Sequence, residues 1–284
     1  MVATGLAAAR PVLMAQPKKA LRFLQSENDR VKSDRVDARG LGLYGLNRPL
    51  RPFRVKSDPV AQLEQLQAAR KGLALSIQRL TLQAQSLPLA AAGLQAAIAD
   101  LERQQQAFDT QIAALLAQPE QRPLATRLQA EPGIGPVTSA ALVACFSARD
   151  FGHPDALVAH AGFAIAVRES GQWRGKRKLT KQGDAELRRL LYLAARSNLR
   201  SKDSPFRAQY ERERAKGLPS TAALCAVARK LLRLSWSLWK HETDYDPARV
   251  YQQPPASSGR AVPGPETTAG STVAAPRVSP EITE

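Results

Sequence analysis

The longest regular pattern of apolar positions lies between residues 58 and 118. Leu63, Leu66, Leu73, Ile77, Leu80, Ala84 and Leu87 recur at steps of three and four, broken only at Arg70. After Pro88 the rhythm resumes at Leu94, Ile98, Leu101, Gln105, Phe108, Ile112 and Leu115. Sustained spacing of this kind lines one face of a helix and marks a coiled-coil seam. The turn around Ser86–Gly93 lets the two helices fold back as an antiparallel hairpin. Its flanks are Gln-rich, so the region reads as a spacer or a dimer arm.

Elsewhere the patterns are shorter. Val12–Ala15 is an apolar run ended by Gln16-Pro17 and predicts a short buried strand. Lys18–Leu24 predicts a short helix and Gln25–Val31 a polar loop. A further helix begins near Ser33 and runs to about Tyr44, and Asn47–Pro59, with Pro49, Pro52 and Pro59, is a linker. Residues 121–245 read as a compact, mostly helical domain. Its last helix, about Thr221–His241, is apolar at Ala223, Ala226, Val227, Leu231, Leu234 and Leu238, with Trp236 and Trp239 as core or interface rather than base-stacking residues. Tyr251–Glu284 is rich in Pro, Ser, Thr and Gly and predicts disorder. The fold class is mainly α, divided at 1–57, 58–120, 121–248 and 249–284.

Charge narrows the partner. The chain of 284 residues carries a formal net charge of +16. That excess favours a polyanion, and nucleic acid is the usual one. A proteome that simply favours Arg is the bland alternative. Clustering argues against it: Arg168–Lys202 holds 11 Lys/Arg against 3 Asp/Glu. Cys145 and Cys225 form neither a disulfide framework nor a zinc-ligand spacing and read as buried free thiols of a reducing cytoplasm. No apolar run approaches the ~18 residues of a membrane span. Arg10 and Pro11 interrupt Met1–Ala15, which does not read as a signal peptide.

Four motifs bear chemistry. In Lys32-Ser33-Asp34-Arg35-Val36-Asp37-Ala38, two carboxylates three apart share a helix face and suit half of a Mg²⁺ site, because hard cations take oxygen ligands and share substrate phosphates. Upstream, only Glu27 and Asp29 are acidic. Pro132-Gly133-Ile134-Gly135-Pro136-Val137-Thr138 between two helices has the helix-hairpin-helix pattern, in which Gly133 and Gly135 bring backbone amides to a phosphate; a plain tight turn is the alternative. Arg168–Lys178 places Ser170 among Arg174, Lys176, Arg177 and Lys178. Cations there can hold phosphates and stabilise charge developing as a hydroxyl attacks phosphorus, although composition alone favours an ordinary turn serine. From Thr180, Lys181 adds a cation and Asp184 predicts an N-cap. Leu187, Leu190, Leu191 and Ala194 face a core, while Arg189, Arg196 and Arg200 line the other side, fitting a duplex backbone or merely solvated.

The ordered series Lys-Ser-Asp-x-x-Asp-Ala, Leu-rich hairpin, Pro-Gly-Ile-Gly-Pro, Phe151–Gly162, Glu-Ser-Gly and Thr-Lys-Gln-Gly-Asp resembles the DEDD-type insertion-sequence transposases with a C-terminal serine, the RNA-bridged DNA recombinases. The resemblance covers about residues 12–245. It implies a RuvC-like, RNase H-fold N-terminal domain in which four acids bind Mg²⁺, with Asp34 and Asp37 matching the last two. It implies Ser170 as the nucleophile that attacks a DNA phosphate and holds the strand. It also implies active sites composed across protomers, a homo-oligomer, and a structured non-coding RNA that pairs with DNA. A bacterial cytoplasmic setting follows, at the nucleoid when bound to DNA.

The family's first Asp and its Glu precede the stretch matching Val12–Pro17, and Val2-Ala3-Thr4-Gly5 echoes the Glu region without its acid. The expectation is therefore an N-terminally truncated copy, or a misplaced start codon, with weak or no strand exchange and a poorly packed segment up to Tyr44. Two rivals stand: a non-catalytic nucleic-acid-binding helix-hairpin-helix protein, and a coiled-coil assembly protein whose charge is incidental.

Overall fold

The computed structural model describes residues 12–27, 33–166, 169–170, 173–174 and 178–248, with backbone only at 169–170, 173–174 and 178. The expectations for residues 1–11, for Lys176 and Arg177, for the side chains of Ser170, Arg174 and Lys178, and for the tail 249–284 lie outside the described residues.

The chain begins with β1 (Leu13–Met14), α1 (Pro17–Glu27), α2 (Asp34–Asn47) and β2 (Arg51–Pro52). β1 pairs antiparallel with β2, Leu13 opposite Pro52. The strand is not buried as the apolar run suggested. Leu13 and Met14 are 51% and 53% exposed, because a two-residue ladder with one neighbour has no layer over its faces. α1 and α2 pack on each other through Phe23 and Tyr44, their rings 5.3 Å apart.

α3 (Asp58–Ser86) and α4 (Ala91–Leu116) are joined by a single 3₁₀ turn, Pro88–Ala90. Pro59 starts α3 where its missing N–H costs nothing, and Pro88 ends it. Arg70 of α3 pairs with Asp109 of α4, so the helices run antiparallel as a hairpin. The break in the apolar stripe at Arg70 is thus an ion pair between the two helices. Leu63, Ile112 and Leu116 at the base are buried, whereas the seam beyond Leu73 is half-covered by the single partner helix.

The base of the hairpin packs on α6 (Pro136–Ala148), which with α10 (Ser220–Lys240) forms the centre of the helical body. Around them lie α5 (Arg122–Gln129), α7 (Pro154–His160), α8 (Ala185–Ser197) and α9 (Pro205–Ala215). α6 is small and apolar nearly all round, the pattern of a helix enclosed by others. Phe151, Phe163, Phe206, Leu142, Leu191 and Leu231 are fully buried, each burial being worth about 1.5–3 kcal/mol. Trp239 stacks on Phe146 at 4.5 Å, and Trp236 donates its indole N–H to the Phe151 carbonyl, so both tryptophans serve packing. Cys145 and Cys225 are free thiols. Burial, with Asp184 and Glu64 adding, pushes Cys145 up to about 12 and keeps it protonated. Among the described residues no helix is long and apolar enough to cross a membrane.

Candidate nucleic-acid interface

The turn between α5 and α6 is built around Gly133, whose φ of 84° lies in the left-handed region that other residues avoid. The Ile134 amide donates to the Glu131 carbonyl, and the Ile134 side chain is buried as an anchor. Space is as restrictive as φ here: a Cβ on Gly133 would lie 2.5 Å from Asn198 Nδ2 and 2.6 Å from the Ala194 carbonyl. Asn198 ties the turn to the end of α8. Its Nδ2 donates to the Pro132 carbonyl at 2.8 Å and to Ala194 O at 2.9 Å, while Ser204 Oγ donates to its Oδ1. These bonds bring the Gly133–Gly135 turn, the first amides of α6 and the exposed Arg196 and Arg200 to one end of the body.

Arg189 behaves differently. It pairs with Glu186 at 2.5 Å, and Lys71 from the hairpin reaches the same carboxylate at 3.5 Å. Burial alone would push Glu186 up, but Arg189 and Lys71 together hold it below the usual carboxylate range. The three residues of the predicted Arg row therefore divide into one that is paired and two whose side chains face solvent.

A second construction carries Ser170. β3 (Ile165–Ala166) pairs antiparallel with β6 (Lys178–Leu179), and beyond them β4 (Glu169–Ser170) pairs with β5 (Trp173–Arg174). Ser170 lies opposite Trp173 and Glu169 opposite Arg174. The neck of this ribbon is tightly crossed. Asp184 N donates to His160 O at 2.8 Å, Thr180 N to Ala164 O at 2.8 Å, and Arg188 Nη1 to Ala161 O at 3.0 Å. At Gly183 a side chain would run into the His160 carbonyl and the Gly162 amide. Lys181 adopts φ 52°, uncommon for a residue with a Cβ. Asp184 then caps α8, its Oδ1 accepting from Glu186 N and Leu187 N.

Asp34 and Asp37 lie in the first turn of α2, behind Ser33, whose Oγ accepts from Val36 N. A helix N-terminus favours carboxylates there. Asp34 is exposed and Asp37 half-buried, on a helix whose packing partner is α1. Among the described residues no group of three or more His, Cys, Asp or Glu is placed to hold a metal ion. The pair fits the mode in which Mg²⁺ takes one or two carboxylates and completes its shell with phosphate oxygens and water; it does not form a closed cage.

Residues 125–211 match the transposase IS116/IS110/IS902 family. That span takes in the Gly133–Gly135 turn, the whole ribbon and α8 with its arginines. The chain is 31% identical over 157 residues to an uncharacterized 42 kDa protein of insertion element IS900 from Mycobacterium paratuberculosis, covering 53% of this chain and 39% of the relative. It is 32% identical over 123 residues to a 44.8 kDa protein of IS116 from Streptomyces clavuligerus, covering 43% and 30%. It is 29% identical over 152 residues to a 43.6 kDa protein of IS110 from Streptomyces coelicolor, covering 53% and 36%. The chain thus spans under two-fifths of the length of the curated relatives it matches. The likeness to insertion-sequence transposases holds at the family level.

Within the span matched to the transposase family, the structure adds Glu131 to Asn198 among the residues that the sequence did not single out. Glu131 is 1% exposed directly beneath the turn. Ser235 Oγ of α10 donates to its Oε2 at 2.7 Å, while Oε1 has no partner among the described residues. Burial raises this carboxyl well above its ordinary value, against the Ser235 hydrogen bond. The available signal was an acid set between a helix end and Pro-Gly, immediately before an apolar helix. Its partner 104 residues away carried none.

Proposed function

We propose that this chain acts on DNA as a transposase or recombinase of the insertion-sequence type, with Ser170 as nucleophile. The family match over residues 125–211 carries the reading, because it spans the ribbon on which Ser170 sits. In the proposed step, Ser170 Oγ attacks a DNA phosphorus and gives up its proton. A serine–phosphate ester forms, and the bond from phosphorus to the neighbouring nucleotide's oxygen breaks, that oxygen taking a proton. Arg174, Lys176, Arg177, Lys178 and Lys181 are assigned to holding phosphates and offsetting charge in the transition state. Gly133, Gly135, Arg196 and Arg200 are assigned to gripping duplex backbone without reading bases. Asp34 and Asp37 would hold Mg²⁺, which when bound polarises a phosphoryl oxygen. The RuvC-like character of residues 12–57, the coiled-coil pairing of the hairpin with a second copy, and a structured RNA from the same element complete this reading.

The test uses the full chain with its flanking RNA and end-labelled DNA. A covalent protein–DNA adduct is expected, weak or absent from the chain alone and clear once an upstream segment bearing the family's first Asp and its Glu is supplied, and it should vanish in Ser170→Ala; an adduct that persists in the variant refutes the nucleophile assignment. A second reading, nucleic-acid binding without chemistry, rests on the Gly133–Gly135 turn and the exposed Arg196 and Arg200, which can grip backbone with no reacting group. It predicts salt-sensitive DNA binding with no adduct from either protein.

A further inference from the structure

We infer that the cleft between the N-terminal segment and the helical body is a seat for single-stranded nucleic acid, which feeds the strand towards the Ser170 ribbon. The inference deepens the proposed function and rests on it. The cleft encloses about 830 Å³ and draws cations from three separate segments: Lys18 and Lys19 at the start of α1, Arg51 of β2, and Arg149 after α6. Among the described residues no Asp or Glu lines it. Three acids adjoin lining residues in sequence and each is engaged elsewhere: the Oδ1 of Asp184 caps α8, Asp150 pairs with Lys240, and Asp155 pairs with Arg233. Four cations brought together without a lining counter-charge repel one another, and a row of phosphates relieves that repulsion.

The cleft walls also show preparation for a ligand. Arg149 is fixed with its guanidinium 4.9 Å from the centre of the Phe151 ring, and its Nε is buried without a partner among the described residues. His160 packs on the same ring at 5.4 Å. Burial lowers the affinity of His160 for a proton, and Arg51 adds to that against Asp184, so the imidazole is neutral and able to hydrogen-bond. Met14, 53% exposed, supplies apolar surface on which a base can rest.

Size selects the occupant. Clefts of roughly 300–1,000 Å³ hold small ligands, so one or two nucleotides fit. A duplex, whose major groove alone is about 12 Å wide, is too broad to enter. Position gives the purpose: His160, Gln182 and Gly183 of the wall are also the neck of the ribbon. A strand seated on Arg51 and Arg149 therefore lies at the foot of the segment that carries Ser170.

The test measures binding of the full chain to labelled oligo-dT, oligo-U and a mixed-sequence duplex, each about 20 units long so as to exceed one binding site. The double variant Lys19→Glu/Arg51→Glu spares the Arg149–Phe151 stack, and Arg51→Gln alone serves as a milder second variant. Single-strand affinity should fall about tenfold or more, and the salt slope by about 0.7 for each phosphate that is no longer neutralised. Duplex affinity should change less than about twofold, since the cleft excludes the duplex. Loss confined to oligo-dT assigns the seat to DNA and loss confined to oligo-U assigns it to RNA, and either supports the seat. Unchanged single-strand binding, or equal losses on single strand and duplex, overturns the inference. Arg196→Ala/Arg200→Ala should show the reverse selectivity. If the parent binds neither single strand nor duplex at low salt, the proposed function falls and the seat falls with it.

Discussion

Glu131 and Gly133, two residues apart, illustrate how one turn can be held by two different kinds of constraint. The Glu131 carboxyl is enclosed beneath the turn with one oxygen satisfied by Ser235. Its raised proton affinity means that the folded chain keeps a proton which the unfolded chain releases above about pH 4.3. Stability from this group is therefore fully present below the ordinary Glu value and declines as pH rises through the folded one. Glu131→Gln keeps an acceptor for Ser235 and removes the titration. Its Tm should exceed the parent's at pH 8 by about 2 °C or more, near 1 kcal/mol for a chain of this size, with the difference closing towards pH 5. Thermal unfolding across that range checks it, and a pH-independent difference would acquit Glu131. Gly133→Ala meets both a positive φ and the 2.5 Å approach of Asn198 Nδ2. It should cost about 1–3 kcal/mol in urea unfolding. Because the same shift disturbs the Asn198 link to α8, duplex binding should weaken in parallel.

At the level of elements, α8 is the clearest case of partial legibility. Its buried side, Leu187, Leu190, Leu191 and Ala194, follows directly from helical periodicity, as does the Asp184 cap. Its outer side does not, because which arginine is free depends on partners distant in sequence. Lys71, brought over by the hairpin, and Glu186 together take Arg189 out of the row. The salt slope of duplex binding should therefore drop by up to about 1.8 in Arg196→Ala/Arg200→Ala, at about 0.9 per phosphate contact. Arg189→Ala should leave the slope alone and cost only a few tenths of a kcal/mol, as exposed pairs do. Equal slope changes at Arg189 would mean that the ion pair yields to DNA; no change in the double variant would mean a merely solvated face. The hairpin helices, α6 and α10 were legible for the same reason as the core side of α8: long runs carry their own period. The failures share a cause. Asn198 to Pro132 spans 66 residues, and Ser235 to Glu131 spans 104, so no local pattern announces them. The exposed β1 failed in the opposite sense, since four apolar residues predict a strand but not whether anything covers it. The cleft likewise joins Lys18, Arg51, Arg149 and His160 from four places, none of which stands out alone.

Taken as a whole, the molecule is a body with a basic end, a ribbon and a long arm, and the arm is incompletely covered. Each helix of the hairpin has one neighbour beyond Leu73, so its seam stays half-exposed. On the outside, Leu75, Leu82 and Leu89 recur at seven-residue steps with exposures of 56, 60 and 106%. Leu75 and Leu82 lie two turns apart on one stripe of α3 and Leu89 lies in the turn that follows it, and together these exposed apolar side chains match the demand of a partner surface rather than of water. In the proposed recombinase, acids and serine come from different copies, so an arm that associates also decides whether a complete site can form. Sedimentation velocity of the full chain should reveal self-association at micromolar concentration, where binding free energy is near 8 kcal/mol. Replacing Leu75, Leu82 and Leu89 by Gln should return the chain to a monomer with unchanged ellipticity, because the three side chains touch solvent in the single chain. The same variant should lose the Ser170–DNA adduct while still binding duplex through Arg196 and Arg200, which lie on the body. A parent that stays monomeric up to about 100 μM, a binding free energy weaker than roughly 5.5 kcal/mol, rejects the arm as the means of association and requires the two copies to meet on the DNA itself.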